Sequence, residues 1–135
     1  MDLIIKKAFL QMLEDTIAKS PELANECLRE GYISSIGVVF EYGVTYTISF
    51  VASKEFLTIL SLEMLGVCAN DDLEFKDLSQ ELANLTVGLA KVLAIKKGLF
   101  FNIQIPEVFG YSTFKDAQRC ISFNLQNTLC SIYIK

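Results

Sequence analysis

Residues 77–110 read "DLSQELANLTVGLAKVLAIKKGLFFNIQIPEVFG", and the change of pattern inside them sets the fold. Up to Lys96 the apolar residues recur at helical spacing. On a helix advancing 100° per residue, Leu78, Leu82, Leu85, Leu89 and Val92 form a stripe about 80° wide. Ala83, Ala90 and Ala94 lie behind it. Glu81, Asn84, Gly88 and Lys91 fall within about 80° of one another and make the one polar strip. The spacing predicts a helix over residues 73–96, ended by Gly98, because glycine takes the left-handed conformation past a C-terminus without a Cβ penalty. "LFFNIQIP" then reads as a strand closed by Pro106.

Upstream, "CANDDLEFKD" is a polar connector, and "KEFLTILSLEMLG" reads as a helix capped by Ser53 and stopped at Gly66. "YISSIGVVFEYGVTYTISFVAS" is rich in β-branched and aromatic residues around Glu41-Tyr42-Gly43, the pattern of a β-hairpin. Ser20-Pro21 resembles an N-cap and first helical position, predicting a short helix to about Arg29. Leu3, Ala8, Leu10, Leu13 and Ile17 predict a helix over residues 3–18. Downstream, "RCISFNL" and "TLCSIYI" alternate around Gln126-Asn127 as a second hairpin. The order α, short α, ββ, α, α, βββ predicts an α+β fold: an antiparallel β-sheet with helices packed on one face, formed by residues 1–135 as one domain.

Composition narrows the function. The chain of 135 residues has 52% hydrophobic residues, a net charge of −4 and no histidine. Its Lys and Arg come in ones and twos, so no basic surface for nucleic acid is expected. No stretch has the roughly 18–20 apolar residues of a membrane span. The four cysteines form no CxxC, which predicts reduced, mostly buried thiols in a cytoplasmic protein and no metal site. Without histidine, Ser-His and Cys-His nucleophiles are excluded. No GxxxxGK[ST] or GxGxxG phosphate cradle is present.

The chemistry left lies in the tetrapeptide Glu-Leu-Ala-Asn, which occurs twice. At Glu81–Asn84 it sets a carboxylate and a carboxamide on one helix face. Gly88 follows on that face, where a glycine costs about 1 kcal/mol relative to alanine, as if something must approach the backbone. At Glu22–Asn25 no glycine follows at the equivalent spacing. That copy reads as helix-start chemistry, with Glu22 favouring the helix dipole.

The block Glu81-x-x-Asn84, Gly88 four residues on and Lys91 three further, followed by a strand and Pro106…Gly110, resembles the signature of the CheX chemotaxis phosphatases, relatives of CheC and FliY. The resemblance covers residues 30–134. With the Glu22–Asn25 copy set aside, it is CheX-like with one site. Leu89 stands where many members have Asn. The resemblance implies a CheC/CheX-like two-layer sandwich. It also implies hydrolysis of the aspartyl phosphate of a CheY-type response regulator. Asn84 would orient the attacking water and Glu81 would meet the regulator's active-site Lys, with Gly88 and Lys91 in the partner contact. The chain would need no cofactor of its own, Mg²⁺ being held by the regulator. A homodimer joined through the sheets is implied as well, in keeping with the apolar content. The other reading is a CheX-like module that binds a regulator or self-associates without turnover.

Overall fold

The computed structural model describes residues 1–116 and 119–135. A helix α1 (Asp2–Ile17) leads into a three-residue strand β1 (Glu22–Ala24). The long hairpin β2 (Glu30–Phe40) and β3 (Thr45–Ala52) follows, then helices α2 (Lys54–Leu65) and α3 (Asp72–Lys96). Strands β4 (Phe101–Ile103), β5 (Glu107–Thr113), β6 (Arg119–Leu125) and β7 (Thr128–Ile134) complete the chain. The strands form one antiparallel sheet in the order β1-β6-β7-β3-β2-β4, with β5 pairing on β2 beside β4. The expected α+β class and antiparallel sheet are therefore present, with all three helices on one face.

The helix boundaries follow from their caps. The Ser53 hydroxyl accepts the Phe56 N–H at 3.0 Å to open α2, and Gly66, at φ 75°, closes it. Asp71 accepts the Glu74 N–H at 2.8 Å to open α3, while the Glu74 carboxylate reaches back to the Asn70 N–H at 3.2 Å. The second hairpin turns at Gln126 and Asn127, both at positive φ, as a two-residue turn between twisted strands requires.

Alternation along the strands divides the sheet. Ile36, Val38 and Phe40 of β2, Ile48 and Phe50 of β3, and Cys130, Ile132 and Ile134 of β7 join the core under the helices. Burial there pushes the Cys130 thiol strongly upward. The second face carries a smaller cluster of Ile33, Val51 and Tyr133, against which Cys27, Leu28, Phe114 and Cys120 pack.

Three expectations from sequence are corrected. The short helix over residues 21–29 does not form. Glu22–Ala24 pairs with β6 instead, and the chain after it lies over the second face. There the Leu28 N–H donates to Ser131 Oγ at 2.8 Å, and the Tyr133 hydroxyl donates to the Leu28 carbonyl at 2.7 Å. These partners are more than 100 residues away in sequence, and they override a local Ser-Pro signal. The region after Pro106, where the sequence assigns no strand, contains β5, held to β2 with Phe109 bulged out between the Ile33–Gly110 and Ser34–Val108 pairs. Cys27 and Cys120 are joined as a disulfide across 93 residues, not reduced. Pairing of β1 with β6 brings them together. The thiol argument for a reducing compartment therefore falls.

Helix α3 crosses the sheet on a mostly apolar face: Phe75, Leu78, Leu82, Ala83, Val87, Ala90 and Ala94 are buried. One polar pin accompanies them. The Ser79 and Ser34 hydroxyls share a hydrogen bond of 2.7 Å, fully buried between α3 and β2. Removing one hydroxyl leaves the other unpaired in the core. Ser79→Ala and Ser34→Ala should each cost about 1–3 kcal/mol in urea denaturation, and the double variant little more than either single one. Additive losses would show that the two hydroxyls are satisfied separately.

Candidate functional site

The buried side of α3 leaves one strip outward. Glu81 and Asn84 are both exposed on it, about 4.5 Å apart along the axis and about 60° apart around it. Neither makes a side-chain hydrogen bond or ion pair among the described residues. A separate charged cluster lies at the start of α3, about 140–180° around the helix from Glu81. Lys76 pairs with Asp72 at 3.1 Å, and Asp72 also accepts the Tyr32 hydroxyl at 2.9 Å. Those two contacts hold the Asp72 carboxyl below its usual range, the Tyr32 bond first. Burial, with Asp72 next, pushes Tyr32 up to about 12.

Gly88 is the informative position. A Cβ built there meets nothing within 4 Å, so no internal contact demands glycine. Its φ is ordinary helical, so no backbone strain demands it either. A helix-interior glycine with no reason inside the fold points outward. Lys91 sits half-buried on the same strip. Leu89, the departure from the CheX-like signature, packs against the core rather than facing the strip.

Val92, the last member of the apolar stripe, is 49% exposed, and Ile95 beyond it is 46% exposed. Both lie within about 40° of Glu81 around the helix. The polar strip therefore has an apolar extension toward the C-terminus of α3. The helical wheel contained this signal, but it does not show where the covering elements end. The first Glu-Leu-Ala-Asn copy supplies no second site of this kind. Glu22–Ala24 is a strand at the far edge of the sheet, and a strand does not bring residues three apart onto one face. Among the described residues, no group of three or more His, Cys, Asp or Glu is placed to hold a metal ion.

No family model matches the chain. No curated protein matches it either. Solved structures do. A CheC-like superfamily protein from Shewanella sp. PV-4 superposes with a TM-score of 0.78 at 24% identity, covering 98% of this chain and 94% of the other. The chemotaxis protein CheX from Vibrio vulnificus gives 0.80 at 20% identity, covering 97% and 95%.

The fold is that of the CheC-like and CheX chemotaxis proteins.

A CheX from Borrelia burgdorferi, solved in complex with CheY, BeF₃ and Mg²⁺, has the same CheX fold, with a TM-score of 0.72 at 15% identity and coverage of 98% and 95%. The likeness spans nearly the whole chain, beyond the residues 30–134 that carried the sequence resemblance. It takes in α1 and β1 as part of the CheX-like fold.

Because nothing among the described residues fills the space at Gly88, alanine fits there. Gly88→Ala should raise stability by about 0.5–1 kcal/mol through helix propensity alone, measured by urea denaturation. A loss of stability would mean that an internal contact requires the glycine.

Proposed function

We propose that the chain is a phosphatase for the aspartyl phosphate of a CheY-type response regulator. The observation that carries this reading is the outward pair Glu81 and Asn84 beside a glycine that the fold itself does not need. The Borrelia CheX bound to CheY supports it, since that complex holds a protein of this fold against a regulator. On this reading water attacks phosphorus, the bond from phosphorus to the aspartyl oxygen breaks, and inorganic phosphate and a free carboxylate result. Such a transfer needs an aligned nucleophile and stabilised phosphoryl charge more than covalent help. Mg²⁺ and a Lys in the regulator supply the charge stabilisation.

The Asn84 carboxamide supplies the alignment. Its oxygen accepts a hydrogen bond from the attacking water and its NH₂ donates beside it. An amide does not take the proton near neutral pH, so Asn84 positions the water and is not a general base. Glu81, one turn earlier, meets the regulator's Lys and orients the complex. Gly88 allows close approach, and Lys91 sits at the rim. The chain contributes no cofactor of its own. A partner of this class signals inside the cell, which places the proposed activity in the cytoplasm.

Asn84→Ala should lower phosphate release from a phosphorylated regulator by about 100-fold or more, the scale of a lost alignment, while changing stability by less than about 0.5 kcal/mol. Glu81→Lys should instead raise KM. Wild-type turnover by Asn84→Ala would exclude the assigned role. Regulator binding by the wild-type chain without any turnover would favour the non-catalytic module.

The reading includes a homodimer. The C-terminal strand β7 lies between β6 and β3 and is not free to pair. One edge of the sheet is the three-residue strand β1; the other lies at β4 and β5, where Ile105 between them is 90% exposed and Phe109 is also exposed. Unpaired strand groups beside apolar side chains invite a second copy. Sedimentation should give twice the 15.1 kDa of one chain, and Ile105→Glu should return it to monomer. A wild-type species at the monomer mass would exclude the dimer.

A further inference from the structure

Beside Glu81 lies a feature that the water-positioning role does not use. The end of α2, the connector after it and the first turns of α3 enclose a groove of about 370 Å³. Its floor is apolar, formed by Met64, Leu65, Val67, Ala69 and Leu78. Leu65 is 63% exposed and Val67 60% exposed. The α3 wall carries three carboxylates at one-turn spacing, Glu74, Asp77 and Glu81. Asp77 and Glu81 have no cationic partner among the described residues, and the nearest lysine on α3, Lys76, is paired with Asp72.

The groove is held open in advance. The Ser61 hydroxyl donates to the Val67 carbonyl at 2.6 Å and fixes the connector, and Gly66 turns it in the left-handed conformation. A preformed groove removes the ordering cost that a loose loop would add to binding. Methionine and leucine at its floor adapt to differently shaped apolar side chains.

We infer that this groove docks the response regulator itself, through a surface segment that presents an apolar side chain flanked by Lys or Arg. The inference rests on the proposed phosphatase reading. Glu81 belongs both to the site and to the groove, so a protein seated over Glu81 and Asn84 covers the groove as well. The uncompensated acidic wall selects a cationic segment, and the apolar floor selects its anchor. The groove thereby decides which regulators are accepted, while Asn84 acts on any that are.

The test measures binding of a CheY-type regulator carrying beryllofluoride and Mg²⁺, by fluorescence anisotropy at two salt concentrations. The proteins are the wild type, Asp77→Lys, Leu65→Gln and Glu41→Lys. Asp77 and Leu65 are exposed, and circular dichroism checks that each variant folds. Glu41 lies in the β2–β3 turn near the far end of α3, about 30 Å of helix from Asp77, and controls for net charge. Asp77→Lys and Leu65→Gln should each raise Kd roughly tenfold, and the salt dependence should weaken in Asp77→Lys. Glu41→Lys should stay within twofold. Unchanged Kd in both groove variants overturns the inference and leaves the phosphatase reading standing, provided that the wild type still releases phosphate. An equal effect in Glu41→Lys overturns it as well, as does loss of the dimer in place of loss of regulator affinity. A wild type that neither binds nor dephosphorylates any regulator in a panel overturns both proposals.

Discussion

The rotation of α3 about its own axis is the constraint on which the site depends. The helix is 25 residues long and buried along most of one side, so a rotation of about 60° one way or the other would turn Glu81 or Asn84 toward the core. Ser79, which bonds Ser34 on β2, lies about 160° around the helix from Glu81, on the side facing the sheet. Leu82, Val87 and Ala90 pack on that side as well. An apolar stripe alone tolerates sliding and some rotation. A hydrogen bond between two fully buried hydroxyls tolerates little, because losing it strands both groups away from water. The strip is thus positioned from behind, by groups buried between α3 and the sheet.

The same packing explains what is left exposed. Alanines at 83, 90 and 94 allow α3 to lie close to its neighbours, and α1 lies alongside it. On the strip facing away, Glu81 and Asn84 make no side-chain bond among the described residues. A side chain already bonded within its own protein would have to break that bond to meet a partner. Freedom from internal partners is the physical condition for a docking or water-positioning group. Gly88 adds open space on the same strip.

Much of this was legible in the sequence, and the failures have a common cause. The caps at Ser53 and Gly66, the two hairpins and the span of α3 are local signals, and each was read within a residue or two. So was the grouping of Glu81, Asn84, Gly88 and Lys91. The short strand β1, strand β5 and the Cys27–Cys120 bond depend on pairings made across the whole chain. Ser20-Pro21 carries a helix-start signal that the β6 edge outweighs. Residues 107–113 show no clean alternation because a bulge at Phe109 breaks it. The exposure of Val92 and Ile95 was hidden for a similar reason, since a helical wheel gives direction but not what stands there.

On the proposed reading, this exposed strip removes a phosphoryl group from an aspartate on another protein. The most direct measurement follows a panel of CheY-type regulators, phosphorylated by a small-molecule donor and then freed of it, with and without catalytic amounts of the wild-type chain. At least one regulator should lose its phosphoryl group faster in proportion to added chain, with inorganic phosphate released stoichiometrically. Decay at the intrinsic rate for every regulator, by a chain shown to be folded and to bind one of them, would contradict it.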